Sequence, residues 1–205
     1  MNALADWMIP DITTMIRMDH SHALALFHRY KQHASAAKKR ALISNACLAL
    51  EVHAQLEEEI FYPALRGVIA EDAVLQKSEP EHNEMRRIIE DLRAGLAAEQ
   101  PAGDTGHDDR FFELMRLVIH HVADEESQLL PAAERLMGDR LSSLGIEMTK
   151  RRIELLKPHA GELVVSATRS FPVGAALLTA GAVAIGALLL SRSKSAPRRG
   201  ARRWP

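Results

Sequence analysis

The chain has 205 residues, 47% of them apolar and 4% aromatic, enough for one good-sized core plus an appendage. Its near-zero net charge is uneven: residues 191–205 hold six basic side chains and no acids, which leaves 20 basic against 27 acidic in the rest. A single cysteine, Cys47, excludes an intramolecular disulfide and gives no sign of an oxidising compartment.

Strand-like alternation is nowhere sustained, so the chain is expected to be all-α. Residues 1–10 lack a basic leader, an apolar run and a cleavage site, and no secretory signal is expected. Pro10-Asp11 reads as a helix start, with Asp11 accepting from the first free amides. This first helix should run to about Lys31 with Ile12, Ile16, His20, Ala23 and Phe27 as its apolar stripe. His20 lies in that stripe, whereas His22 is turned about 200° away at 100° per residue. His28 is expected to be a core or rim histidine.

The second helix, near residues 36–66, carries the stripe Ala46, Leu50, His53, Glu57, Ile60, Ala64. Every step is three or four, so His53 and Glu57 face the core. A carboxylate there is costly to bury without a partner, and metal coordination is one of the few that suffices. Glu58 and Glu59 should be solvated, and Pro63 should bend or weaken the preceding turn. A third helix is predicted from Ser78 or Glu79, with Pro80 in its first turn and the stripe His82, Met85, Ile89, Leu92, Leu96. Residues 100–106 read as a loop. The fourth helix presents Leu114, Val118, His121, Glu125, Gln128 and Ala132, with His120 one residue off the stripe. A further amphipathic helix is expected from Leu141 to about Leu156, ended by Pro158 and Gly161.

Beyond residue 170 the chain changes in kind. Phe171 to Leu190 is twenty residues without a charge, long enough to cross a bilayer core of about 30 Å. A transmembrane helix is expected there; self-association of the chain through a buried or oligomerisation helix is the alternative. Residues 191–205 read as a basic, disordered tail. Basic residues near the span favour a cytoplasmic tail, but the missing leader weighs more, and the expected arrangement is a membrane anchor with the preceding domain in the cytoplasm.

The informative feature is a repeat. His53-Ala-Gln-Leu-Glu57-Glu58 with Pro63 returns 68 residues later as His121-Val-Ala-Asp-Glu125-Glu126 with Pro131. On a helix, residues four apart share a face, with Cβ atoms roughly 5–6 Å apart. Glu81-His82 likewise echoes Asp19-His20, so the repeating unit is a helical hairpin. Asp19 and Glu81, rotated 100° from their histidines, are expected to support the site from outside or lie on the surface. The core-facing polar residues are then His20, His53, Glu57, His82, His121 and Glu125, one or two per helix. Mixed imidazole and carboxylate without thiolate suits iron or, less well, manganese, and is not the closed tetrahedral set of structural zinc. Di-metal carboxylate bundles direct ligands inward from facing helices in this way.

With these motifs the chain resembles the hemerythrin family, in its His-His-Glu cation-binding form, over about residues 11–137. The resemblance implies an up-down-up-down four-helix bundle around two non-haem irons. His20, His53, His82 and His121 would be terminal ligands, and Glu57 and Glu125 the bridges. It further implies a protein that binds O₂ or NO, or senses or handles iron under oxidative or nitrosative stress. The alternative is an enzyme using the same centre: a peroxidase, an oxidase or a donor for iron-cluster repair. A binding or sensing protein is favoured, since neither a substrate pocket nor a proton-delivery chain is evident, and no nucleic-acid partner is expected. Oxygen carriers have a second His one turn after the third-helix His, where this chain has Arg86, and an Asp five residues after the fourth-helix His, where this chain has Glu125 at four. Six ligands are thus recognisable rather than seven, with water, His22, His28 or His120 as candidates to complete the set. The resulting organisation is a metal domain over 11–137, a connector over 138–170, a span over 171–190 and a tail over 191–205.

Overall fold

The computed structural model describes residues 9–69, 72–98 and 105–160. Every regular element among them is helical. In chain order these are α1 (Ile12–Arg29), α2 (Ala36–Leu56), α3 (Tyr62–Arg66), α4 (Ala73–Ala97), α5 (Thr105–Asp124), α6 (Leu130–Met137) and α7 (Arg140–Leu156). Side-chain caps set three of the starts. Asp11 accepts from the Thr14 amide at 2.8 Å, Ser35 from Lys38, and Asp72 from Val74 and Leu75.

α2 continues into α3, and α5 into α6, through π-helical turns at Glu57–Phe61 and Glu125–Leu129. The physical cause is the repeated proline. Pro63 and Pro131 have no N–H to give, and their rings crowd the carbonyl four residues back. The turn widens instead, so Tyr62 N–H reaches the Glu57 carbonyl and Leu130 N–H the Glu125 carbonyl. The sequence expectation of a weakened turn before Pro63 is met by this widening. It also moves the stripe by one residue. Gln128, expected inside, is exposed, and Leu129 is fully buried in its place.

Four rods result: α1, α2 with α3, α4, and α5 with α6. α1 contacts α2, α2 contacts α4, α4 contacts α5, and α5 returns to α1, which closes a helical bundle. The connections of a few residues after α1 and α3 reverse the chain direction, as antiparallel neighbours require. α4 starts at Ala73, one to two turns earlier than predicted, and Pro80 sits inside it. The Asp72 cap and the burial of Val74, Leu75 and Ser78 outweigh the one backbone bond that Pro80 cannot make. α7 is the expected additional helix, and it lies across α1 and α2. Gly145 allows that approach, since a Cβ there would fall 2.3 Å from the Pro10 carbonyl oxygen.

Two apolar clusters fill the bundle. One gathers Ile16, Val52, Leu56, Phe61, Leu75 and Leu129; the other gathers Ala23, Phe27, Leu50, Met85, Leu114 and Val118. On every rod the predicted ligand falls between a residue of one cluster and a residue of the other: His20 between Ile16 and Ala23, His53 between Leu50 and Leu56, and so on. The bundle therefore carries a polar layer sealed above and below by hydrocarbon. In the second cluster Lys39, only 3% exposed, is neutralised by Asp108, which also accepts from the Tyr30 hydroxyl.

No helix among the described residues is long and apolar enough to cross a membrane. The predicted span over 171–190 and the tail over 191–205 lie outside the described residues, as does most of the predicted loop at 100–106.

Candidate metal centre

The six side chains singled out from the sequence meet in the polar layer. His20, His53, Glu57, His82, His121 and Glu125 are all buried, the two carboxylates completely. They form two overlapping groups. His20, His53, Glu57 and Glu125 each place a ligand-type atom within 4.8 Å of the others, and Glu57, His82 and His121 do the same. Glu57 belongs to both. Its Oε2 lies 3.2 Å from His53 Nε2 and 3.5 Å from His82 Nε2. Glu125 Oε2 lies 3.2 Å from His20 Nε2 and 3.5 Å from His121 Nε2. Each carboxylate thus faces one imidazole from either hairpin.

The residues around the six explain how the rings are aimed. Each imidazole turns Nδ1 outward to a carboxylate. His20 Nδ1 meets Glu126 at 2.9 Å, His82 meets Glu58 at 2.9 Å, His121 meets Glu81 at 2.9 Å, and His53 meets Asp19 at 3.4 Å. An ionised carboxylate only accepts, so Nδ1 carries the proton and Nε2 offers its lone pair inward. This is the arrangement that orients metal-binding histidines. Each outer acid is in turn held by a cation: Glu126 by Arg17, Glu58 by Arg86, Glu81 by Lys77, and Asp19 by Arg152.

Taken alone, the interior is badly matched. His82 Nε2 and His121 Nε2 lie 3.0 Å apart, two acceptors facing each other when both rings are neutral and protonated at Nδ1. Both ring nitrogens of His53, together with His20 Nε2, Glu57 Oε1 and Glu125 Oε2, are buried without a hydrogen-bond partner, the 3.4 Å approach of His53 Nδ1 to Asp19 being a charge contact. Buried polar atoms are rarely left so. The titration behaviour points the same way. Burial alone would push the His121 imidazole down, but the neighbouring Glu57 and Glu81 carboxylates, with the Glu125 charge, raise it to about 10. His20 is raised against the same burial effect by Glu125, Glu57 and Glu126. Burial opposes ionisation of Glu125, yet the surrounding imidazoles hold it below the ordinary carboxylate range. The centre calls for positive charge. The donor set fits cations of intermediate hardness held by imidazole and carboxylate.

Other expectations are corrected. His28 and His120 are exposed, so neither completes the set. Eight residues at 100° leave His28 about 80° off the His20 direction, which carries it to solvent. His22 is half-buried and absent from both clusters. Glu58 is not solvated but pinned between His82 and Arg86, while Glu59 faces outward onto Arg151. Arg86 reaches Glu58 and Asn83, not the centre.

One inward polar group was not anticipated. Tyr62 is fully buried; its hydroxyl donates to Glu125 Oε1 at 2.8 Å, and it also lies 3.2 Å from Glu57 Oε2 and 3.4 Å from His82 Nε2. Its ring stacks on His82 with centroids 5.7 Å apart. Burial and the two glutamates push the phenol well above its ordinary pKa, so it keeps its proton. The matching position of the second hairpin is Leu130. No periodicity distinguishes a tyrosine placed for its hydroxyl from one placed for its ring, which hid it.

Two surface grooves of about 520 and 650 Å³ run along α7, and none of the six central side chains lines either.

A family model described as the hemerythrin HHE cation-binding domain matches residues 11–133. A protein named DNA nickase, from Nostoc sp. (strain PCC 7120 / SAG 25.82 / UTEX 2576), is 32% identical over 122 residues, which is 60% of this chain and 33% of that protein. This chain therefore spans about a third of the length of the curated relative it matches. No solved structure matches it.

Proposed function

The chain belongs to the hemerythrin HHE cation-binding family, and from that premise we propose that it is a non-haem di-iron protein that binds O₂ or NO, or handles iron under oxidative or nitrosative stress. The burial of the whole ligand set carries this reading: none of the six is more than 6% exposed, and neither groove on α7 reaches them. A diatomic molecule suits a centre so enclosed; an organic substrate does not.

In this reading His20 and His53 would hold one iron and His82 and His121 the other, with Glu57 and Glu125 available to both. Manganese is the less suited substitute. Ferrous iron there would supply electrons and an exchangeable position for O₂ or NO. The chain's own groups do the rest. The outer acids keep every Nε2 aimed inward, the flanking apolar clusters exclude water, and Tyr62 keeps a hydroxyl donor beside His82. A peroxidase, an oxidase or an iron donor for cluster repair would use the same centre, and turnover of peroxide with a reductant would identify it.

Residues 171–190 tether the domain to a membrane in this proposal, with the metal domain cytoplasmic and self-association open. The DNA nickase name is not carried over. About two thirds of the Nostoc protein lies outside the match, and residues 1–190 carry 20 basic against 27 acidic side chains, a poor surface for nucleic acid.

Purification without oxygen, followed by exposure to air or NO, tests the reading. A reversible change in the visible spectrum without net product supports it. Continuous turnover of peroxide would replace it with the enzymatic alternative.

A further inference from the structure

Three of the four cations that hold the outer acids come from the bundle itself: Arg17 from α1, and Lys77 and Arg86 from α4. The fourth does not. Arg152 belongs to α7, beyond the residues 11–133 that the family shares. Its Nη1 and Nη2 meet Asp19 Oδ1 and Oδ2 at 2.5 and 2.6 Å, a two-pronged pairing. The Asp19 and Arg152 side chains are 17% and 26% exposed, against 28% and 44% for Glu81 and Lys77 in the matching place of the other hairpin. Lys77 is also shared, since it reaches Asp124 as well as Glu81.

The preceding residue of α7 strengthens the docking. Arg151 closes on Glu59 with Nε and Nη2 at 2.6 and 3.0 Å, on the π-helical turn that carries Glu57. The corresponding residue of the second hairpin is Ser127, whose hydroxyl bonds only to its own helix. The two arginines of α7 thereby pair with the rods that supply His20, His53 and Glu57.

We propose, resting on the two-iron reading above, that Arg152 is a positioning residue of the metal centre: through Asp19 it holds the His53 ring, so that α7 makes the His20/His53 half retain its iron longer than the His82/His121 half. Supporting residues behind a ligating histidine alter metal affinity by about 10–100-fold, which sets the size of the effect.

The test uses the full chain loaded with ferrous iron and transferred anaerobically into a ferrous chelator. Wild type should release iron in a fast and a slow phase. Arg152→Gln should speed the slow phase by about tenfold and leave the fast one unchanged. Lys77→Gln should act on the fast phase alone. Arg152→Lys, which keeps the charge but loses the fork, should fall between wild type and Arg152→Gln, whereas Arg152→Met, which keeps length without charge, should match Arg152→Gln. Equal acceleration of both phases, an unchanged slow phase, or a wild-type rate in Arg152→Met would each overturn the proposal. A second readout needs no metal. In the apo protein the His53 Nδ1 proton should give a protected NMR signal that Arg152→Gln loses while that of His121 persists. If wild type binds no iron, the two-iron reading fails by itself, and an unchanged His53 signal in Arg152→Gln would still refute the role given to Arg152.

Discussion

The two hairpins, α1 to α3 and α4 to α6, carry one motif and surround it differently. Both place an acid-His pair on the first helix, a His and a Glu four apart on the second, a π-helical turn at that Glu, and a proline behind it. In both, the second Glu of the doublet crosses to the histidine of the other hairpin's first helix, Glu58 to His82 and Glu126 to His20. Three differences bear on the centre. Tyr62 stands against Leu130, Glu59 against Ser127, and the Arg152 clamp from α7 against the exposed Lys77. Duplication supplies the ligands, and the differences make the two halves unequal: the first is braced from outside, and the second has the phenol at its histidine.

The comparison breaks most visibly if the shared elements are removed. Glu57→Ala should abolish most metal binding in both halves, since Glu57 belongs to both clusters. His53→Ala should empty mainly the first half. Metal analysis checks both variants, and a Glu57→Ala protein that keeps its full complement would refute the shared role.

Proton binding offers the next largest effect. In the metal-free protein His121 is raised from 6.5 to about 10, so the folded chain keeps a proton that the unfolded chain releases as pH climbs between those values. This contribution is fully present below pH 6.5 and is lost by about pH 10. Glu58 and Glu81 are lowered from 4.5; burial opposes this for both, while His82 and Arg86 outweigh it for Glu58, and His121, the largest cause, does so for Glu81. Their contribution is present above the ordinary carboxylate range and is lost as pH falls through it. The melting temperature of the metal-free protein should therefore fall on both sides of neutrality. Bound metal, which replaces the inner protons, should flatten the alkaline limb. An alkaline limb identical with and without metal would contradict the account of the centre.

Tyr62→Phe sharpens the contrast between the halves. Removing the hydroxyl leaves buried Glu125 Oε1 without its donor, a cost of about 1–3 kcal/mol. Azide or NO binding should weaken while iron content holds. Leu130→Met, a volume-conserving change at the matching place, should alter ligand binding little. Equal effects of the two would mean that the phenol gives the second half nothing.

Gly145→Ala sets a Cβ against the Pro10 carbonyl and should cost about 1–3 kcal/mol by overpacking, read by chemical denaturation. The smallest effects belong to His22→Ala and His120→Ala, which should leave metal content unchanged, because both lie outside the two clusters.

Much of this was legible in the sequence because burying an imidazole and a carboxylate on an apolar stripe is expensive, and periodicity exposes such residues. His20, His53, Glu57, His82, His121 and Glu125 fall between the two apolar clusters, as that reasoning requires. What escaped it depends on contacts between elements. A local pattern says nothing of Glu58 crossing to His82, Tyr62 turning its hydroxyl inward, or Arg152 arriving from a helix 133 residues beyond Asp19. Gln128 was misplaced because a period of 3.6 takes no account of a π-helical turn. α4 starts earlier than expected because Pro80 reads locally as a first-turn residue, whereas packing of Val74 and Leu75 extends the helix on its N-terminal side.

The most direct test of the central claim is the iron content of the full chain, grown with ample iron and purified without oxygen, set beside that of Glu57→Ala. The account predicts two irons per chain in the wild type and loss of most of both in the variant. One iron or none in the wild type would contradict it.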